Sequence, residues 1–240
     1  MSDPKCSICI LAYGRPEHLR RTLESIRSQS PGCTYEIIVT DDGSDPPLLP
    51  ICREFGVERY TYLRSARWRG MSVAANVAYK QARGDVLILQ QADVLHASPD
   101  AIERLAAVEQ GTATIADVWD YDPATGKRLS LYTGKARPRG LFFLGSVHRQ
   151  AVYAIGGMDE DFHEAGYDDV WFYRCLLENG IQFRYPGNIV GYHQCHNRPK
   201  RIYGIPGGKR RMKKLLQRKV AAAEAGEITW RSPGGPWSLP

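Results

Sequence analysis

Tyr35-Glu36-Ile37-Ile38-Val39-Thr40-Asp41-Asp42-Gly43-Ser44 is the stretch whose reading decides the fold. Its apolar core is too short for a helix and does not alternate with polar residues, which is the mark of a strand buried on both faces. It ends on two acids and a Gly-Ser turn. Ser7 to Ala12 and Asp85 to Leu89 have the same character, and they run into Tyr13-Gly14-Arg15-Pro16 and Gln90-Gln91-Ala92-Asp93. Arg59 to Leu63 reads as a further short strand. Between these lie helical segments. Leu19, Leu23 and Ile26 recur at helical spacing after Pro16, which suits a first turn. Leu48 to Phe55 and Ser72 to Arg83 follow, and Ser98-Pro99 is expected to cap a helix reaching about Glu109. Strand and helix alternating on short links imply a mostly parallel α/β sheet, Rossmann-like, with helices on both faces. Ligands of such sheets bind beyond the carboxyl ends of the strands. Those ends carry Tyr13, Asp41-Asp42 and Gln91-Ala92-Asp93.

The second half is less regular. Asp122-Pro123-Ala124-Thr125-Gly126 reads as the turn of a hairpin, His148 to Ile155 as a short helix stopped by Gly156-Gly157, and Asp168 to Asn179 as a largely buried helix. No internal repeat is present. The 240 residues hold six cysteines. Cys6 and Cys9 lie three apart on a strand and so point to opposite faces, which excludes a zinc or redox pair there. No apolar run approaches the roughly 20 residues that span a bilayer. The N-terminus lacks a basic stretch followed by an apolar one, so no secretory signal is expected and the chain is expected in the cytoplasm. Net charge is +6. Its excess concentrates in Lys209 to Lys219, KRRMKKLLQRK, with seven cations and no acid.

Taken in order, these segments resemble the GT-A glycosyltransferases of family 2. The resemblance spans about residues 5 to 195. It is carried by Ser7 to Tyr13 with Arg15-Pro16-x-x-Leu19, by Glu36 to Ser44, and by Gly70-x-Ser72-x-Ala74-x-Asn76-x-Ala78. Ala82-x-Gly84-Asp85, Ile155 to Glu160 with Phe162, and Asp168-Asp169 at a helix start complete it. The resemblance implies a GT-A domain over residues 1–197 with a basic, partly helical extension over 198–240. It implies an inverting transferase that moves a sugar from a nucleotide-diphosphate sugar, with a UDP-sugar expected, to an acceptor hydroxyl.

Site residues follow from it position by position. Ala12 and Tyr13 would pack on the nucleotide base, and Asp42 would accept a hydrogen bond from it. An Asx-type turn closing the strand is the plain alternative for Asp41-Asp42. Arg67 and Arg69 would face the donor phosphates. Gln91-Ala92-Asp93 stands where the family has D-x-D, so one carboxylate of the Mn²⁺ or Mg²⁺ site is a glutamine. Asp93 would bind metal, joined by His193, with His196 as the substitute. Asp169 would be the catalytic base, although acids at a helix start also complement the helix dipole. The incomplete motif leaves a non-catalytic nucleotide- or sugar-binding module as the alternative function. In the tail, Met212, Leu215, Leu216 and Val220 recur at helical spacing among the cations. This fits a helix on DNA, on an anionic membrane surface where the protein would sit peripherally, or on the core with a solvated basic face. Trp230 and Trp237 would serve the first two by stacking on bases or anchoring in the interface.

Overall fold

β1 (Cys6–Ala12) is buried along almost its whole length, and its side chains divide between two cores. Cys6, Ile8, Ile10 and Ala12 face one and Cys9 faces the other, as a strand's two-residue period requires. The computed structural model describes residues 3–64, 70–135, 140–196 and 205–238. Within them a seven-stranded sheet has the order β10-β6-β9-β4-β1-β2-β3. Its strands are β1, β2 (Tyr35–Asp41), β3 (Arg59–Tyr62), β4 (Val86–Gln91), β6 (Thr112–Ile115), β9 (Leu144–His148) and β10 (Gln182–Arg184). β1 pairs in parallel with β2 and β4, and β2 with β3; β9 alone runs against its neighbours β4 and β6.

One face is covered by α1 (Pro16–Arg27), α2 (Leu49–Glu54) and α4 (Ala101–Ala106). The other carries α3 (Met71–Gln81), α5 (Arg149–Ile155), α6 (Asp168–Glu178) and α7 (Gly208–Glu224). Leu19, Leu23 and Ile26 of α1 are fully buried, and each contributes roughly 1.5–3 kcal/mol by leaving water. Glu36 ties three strand ends together from inside. It accepts from the Ser7 hydroxyl at 2.7 Å and the Arg83 amide at 2.8 Å, and pairs with the Arg59 and Arg83 guanidiniums. Gly84 donates to the same Ser7 hydroxyl, and a Cβ there would meet the Cys6–Ser7 backbone at 2.5–2.7 Å. The Ala82-x-Gly84 pattern thus records a close approach between backbones.

A second sheet, in the order β5-β11-β7-β8, is built from β5 (Val94–His96), β7 (Asp117–Asp122), β8 (Lys127–Tyr132) and β11 (Val190–Gln194). β7 and β8 form the expected hairpin. α4 is shorter than the sequence suggests, and Ser98 does not cap it. The Ser98 hydroxyl donates to the Asn188 carbonyl and accepts from the Val190 amide, holding β11 instead.

The C-terminal residues lie against the second core. Met212 is buried there, with Leu215, Leu216 and Val220 packed beside it. The two tryptophans expected to stack or to anchor are half-buried against this core. Trp230 packs on Trp171 at 5.3 Å between ring centroids, and Trp237 packs edge-on to Tyr153 with the Lys80 ammonium 4.3 Å from its ring centre. Among the described residues no helix is long and apolar enough to cross a membrane.

Candidate functional site

From β1 the chain goes to β2 and β3 on one side and returns to β4 on the other, so the strand order reverses between β1 and β4. Loops leaving the carboxyl ends of two such strands must part, and the gap between them is a ready-made crevice. Here it is lined by Ala12, Tyr13, Gly14 and Arg15 after β1, Asp42 after β2, and Gln91, Ala92 and Asp93 after β4, with Met71 and Ala74 of α3 as a wall. The two readings of Asp41-Asp42 divide between the residues. Asp41 closes the turn, accepting from the Ser44 and Leu48 amides at 2.8 and 2.9 Å and from the Tyr60 hydroxyl at 2.7 Å. Asp42 lines the crevice. Gln90 and Gln91 divide by strand alternation. Gln90 bonds His96 and the Val94 carbonyl inside the protein, and Gln91 faces the crevice.

The small sheet supplies the groups around Asp93. His193 of β11 is opposite Val94 on β5 and level with Asp120 on β7. That register sets its imidazole between two carboxylates, with Nδ1 2.8 Å from Asp120 and Nε2 3.7 Å from Asp93. His196 Nε2 is 3.1 Å from the same Asp93 oxygen, and the Arg15 guanidinium 2.5 Å from it. Burial pushes the Asp93 carboxyl up, but the bonds to both imidazoles and the Arg15 charge outweigh it and hold the group well below the usual carboxylate range. Burial likewise lowers His193, and the two carboxylates beside it reverse the shift and raise it.

The ligand atoms of Asp93, His193 and His196 all lie within 4.8 Å of one another. The second Asp93 oxygen, Oδ1, is buried with no hydrogen-bond partner among the described residues. Two imidazole nitrogens, a carboxylate oxygen and an orphaned lone pair fit a divalent cation, with Asp120 fixing the His193 ring as an outer partner.

A second hollow opens from the first through Leu11, Met71 and Gln91, which line both. Its walls are Tyr79, Phe142, Phe143, Met158 and Phe172, and at its end are Asp168 and Asp169, which open α6. Phe143 joins the two ends, with its ring 5.5 Å from that of His193. Asp168 is buried and Asp169 half-buried. Burial, and then the charge of Asp169, push the Asp168 carboxyl up to about 7. Asn76 of α3 fixes the approach to α6. Its amide donates to the Met158 carbonyl, and its carbonyl accepts from the Met158 amide, each at 2.8 Å. This explains the spacing of Asn76 and Gly156-Gly157-Met158, since Gly157, at φ +71°, has no room for a Cβ beside Asn76 and Trp237.

The profile described as Glycosyl transferase family 2 matches residues 7–171, the span that holds both acidic centres. The chain belongs to this family. An uncharacterised glycosyltransferase, YfnE, of Bacillus subtilis is 32% identical over 106 residues, covering 44% of this chain and 27% of the relative. The dolichol-phosphate mannosyltransferase of Pyrococcus furiosus is 31% identical over 111 residues, 45% of this chain and 31% of its own. The chain thus spans under a third of each of these family 2 relatives. Among solved structures, the mannosyltransferase PcManGT of Pyrobaculum calidifontis, in complex with GDP-Man and Mn²⁺, superposes with a TM-score of 0.62 at 17% identity. That match covers 100% of this chain and 78% of the other, and it places the fold among GT-A glycosyltransferases.

Of the residues named from sequence, the structure gathers Ala12, Tyr13, Asp42, Gln91 and Asp93 in one crevice, sets His193 and His196 together at Asp93, and puts Asp169 in the adjoining hollow. Arg67 and Arg69 lie outside the described residues. Sequence reading missed Arg15 and Asp120 as site residues. The signal for Arg15 was its place directly after the β1 strand end. Asp120, within the first strand of a hairpin, gave none.

Proposed function

We propose that this family 2 protein is an inverting sugar transferase, acting from a nucleotide-diphosphate sugar onto an acceptor hydroxyl. The observation that carries the reading is a pair of adjoining hollows that share Leu11, Met71 and Gln91. They run from the strand ends at Tyr13 and Asp42, past the cation-binding group at Asp93, to the acid pair at α6. Tyr13 and Ala12 would pack on the base and Asp42 would accept from it. Asp93, His193 and His196 would hold the divalent cation, and Gln91 would bond a donor hydroxyl. When bound, the cation supplies positive charge that stabilises the departing diphosphate. The imidazole-rich donor set favours Mn²⁺ over Mg²⁺. Asp169 takes the acceptor proton as the acceptor oxygen bonds to the anomeric carbon. The bond from that carbon to the phosphate oxygen breaks on the opposite side, its electron pair leaves with the diphosphate, and the configuration inverts. Asp168 is buried, and burial and the Asp169 charge push its carboxyl up; the less buried Asp169 would face the acceptor.

The solvent side of α7 bears on the acceptor. Lys209, Arg210, Lys213, Lys214 and Arg218 are exposed, and no acid is paired with them among the described residues. The helix's apolar residues are already turned into the core. This supports a polyanionic acceptor such as nucleic acid over insertion into a bilayer. The donor reading is tested by thermal shift with UDP, GDP, CDP and TDP, each with Mn²⁺, with Mg²⁺ and with chelator. Nucleotide at 100 times its dissociation constant should add about 2.7 kcal/mol. We expect a shift with UDP that Mn²⁺ enlarges. A shift with GDP alone would change the donor, and none with any nucleotide would turn the reading toward a module that binds something else.

A further inference from the structure

Arg15 is the residue after Gly14 at the end of β1. It is one of two non-glycine residues described with positive φ, at 55°, and its carbonyl accepts from the His18 and Leu19 amides to start α1. An L-residue in that conformation is strained, and such strain persists where the surroundings fix it. Here the conformation accompanies a side chain directed into the crevice, with its guanidinium 2.5 Å from Asp93 Oδ2. That is the oxygen His196 and His193 also face. The guanidinium therefore holds one oxygen of the carboxylate that the cation needs. The other oxygen, Oδ1, is left buried without a partner among the described residues. A guanidinium and a divalent cation at one carboxylate repel each other, and with Gln91 in the place of a second acid little negative charge offsets them. Arg15 also lines the crevice beside Tyr13 and Asp42, where its planar fork suits a diphosphate.

We propose that Arg15 and the divalent cation are alternative partners of Asp93, and that the donor's diphosphate makes the exchange by drawing the guanidinium onto itself. Arg15 is thus a positioning residue that keeps the cation site closed until donor arrives. The inference rests on the cation reading above.

The test is Mn²⁺ binding by the full chain, followed by the spin-resonance signal of free Mn²⁺, alone and with UDP or GDP. Wild type should bind Mn²⁺ weakly alone and about tenfold or more tightly with nucleotide. Arg15→Gln should bind Mn²⁺ alone about tenfold more tightly than wild type, and nucleotide should add much less. Arg15→Lys, which keeps the charge without the fork, should bind Mn²⁺ alone as wild type does but gain less from nucleotide than wild type does, and that smaller gain carries the comparison if the glutamine variant does not fold. The exchange is overturned if Arg15→Gln binds Mn²⁺ alone no more tightly than wild type, or if Arg15→Lys behaves as Arg15→Gln. Absence of Mn²⁺ binding in every protein and condition overturns the cation reading together with it, whereas the first result leaves that reading standing.

Discussion

Asp93 and the Asp168–Asp169 pair are acids in adjoining hollows, and their surroundings are opposite. Asp93 is ringed by Arg15, His193 and His196, which hold its carboxyl down although it is buried. Asp168 has an acid for its neighbour and Phe142, Phe143 and Phe172 lining the same hollow, and burial pushes it up. Burial acts in the same direction on both, so the partners around each carboxyl make the difference. The first centre is equipped to keep negative charge and attract cations, and the second to take and hold protons.

The largest effect is expected from removing the proposed proton acceptor alone. Asp169→Asn should lower kcat for transfer by about 10²–10⁴, the usual contribution of a positioned general base. Donor and Mn²⁺ affinities should stay near wild type, because the cation site draws on other elements. A variant that keeps full turnover in a steady-state assay would end the assignment of Asp169.

Asp93→Asn should have the converse signature. It removes the one charged group of the proposed cation site and leaves two imidazoles and a guanidinium facing each other, so Mn²⁺ affinity should fall by about 100-fold or more. Calorimetric titration of Mn²⁺ in the presence of nucleotide reads this without any transfer assay. Asp120→Ala tests the outer partner of the same centre. His193 keeps its position in β11 but loses the carboxylate at Nδ1, so Mn²⁺ affinity should drop by about 10–100-fold. An unchanged affinity would mean that strand register alone orients the ring.

These centres were unequally legible in the sequence. Tyr13, Asp42 and Asp93 follow short buried strands, and a parallel sheet brings strand ends together whatever the loops between them do. Asp169 was legible only through its family position after Gly156-Gly157-Met158, and Asn76 gives that spacing its physical cause. Arg15 and Asp120 were not legible as the partners of Asp93 and His193. Each acts by pointing at a residue far away in the chain, and local periodicity carries no information on that convergence. The tail shows the converse case. Trp230 and Trp237 looked like a surface for ligands, and one side of each is covered, by Trp171 and by Tyr153 with Lys80, because an aromatic in a basic, glycine-rich segment reads the same whether it is covered or not.

The smallest expected effect is on stability, and it tests the proton-holding side of the comparison directly. The Asp168 carboxyl is raised from 3.8 to about 7 in the folded protein, so the folded state binds its proton more tightly than the unfolded chain does. The stabilisation from that proton is complete below about pH 4 and is lost as pH rises through about 7. Asp168→Asn, which stays neutral, removes this dependence. Urea unfolding of both proteins at pH 4.5 and 7.5 should show the variant gaining on wild type by on the order of 1–3 kcal/mol across that interval. Groups common to the two proteins cancel in the difference. Asp169→Asn should shrink the effect without abolishing it, because burial, the larger cause, remains when the neighbouring charge is gone. A difference that does not change with pH would show that Asp168 is already ionised in the folded protein, and the contrast with Asp93 would then rest on geometry alone.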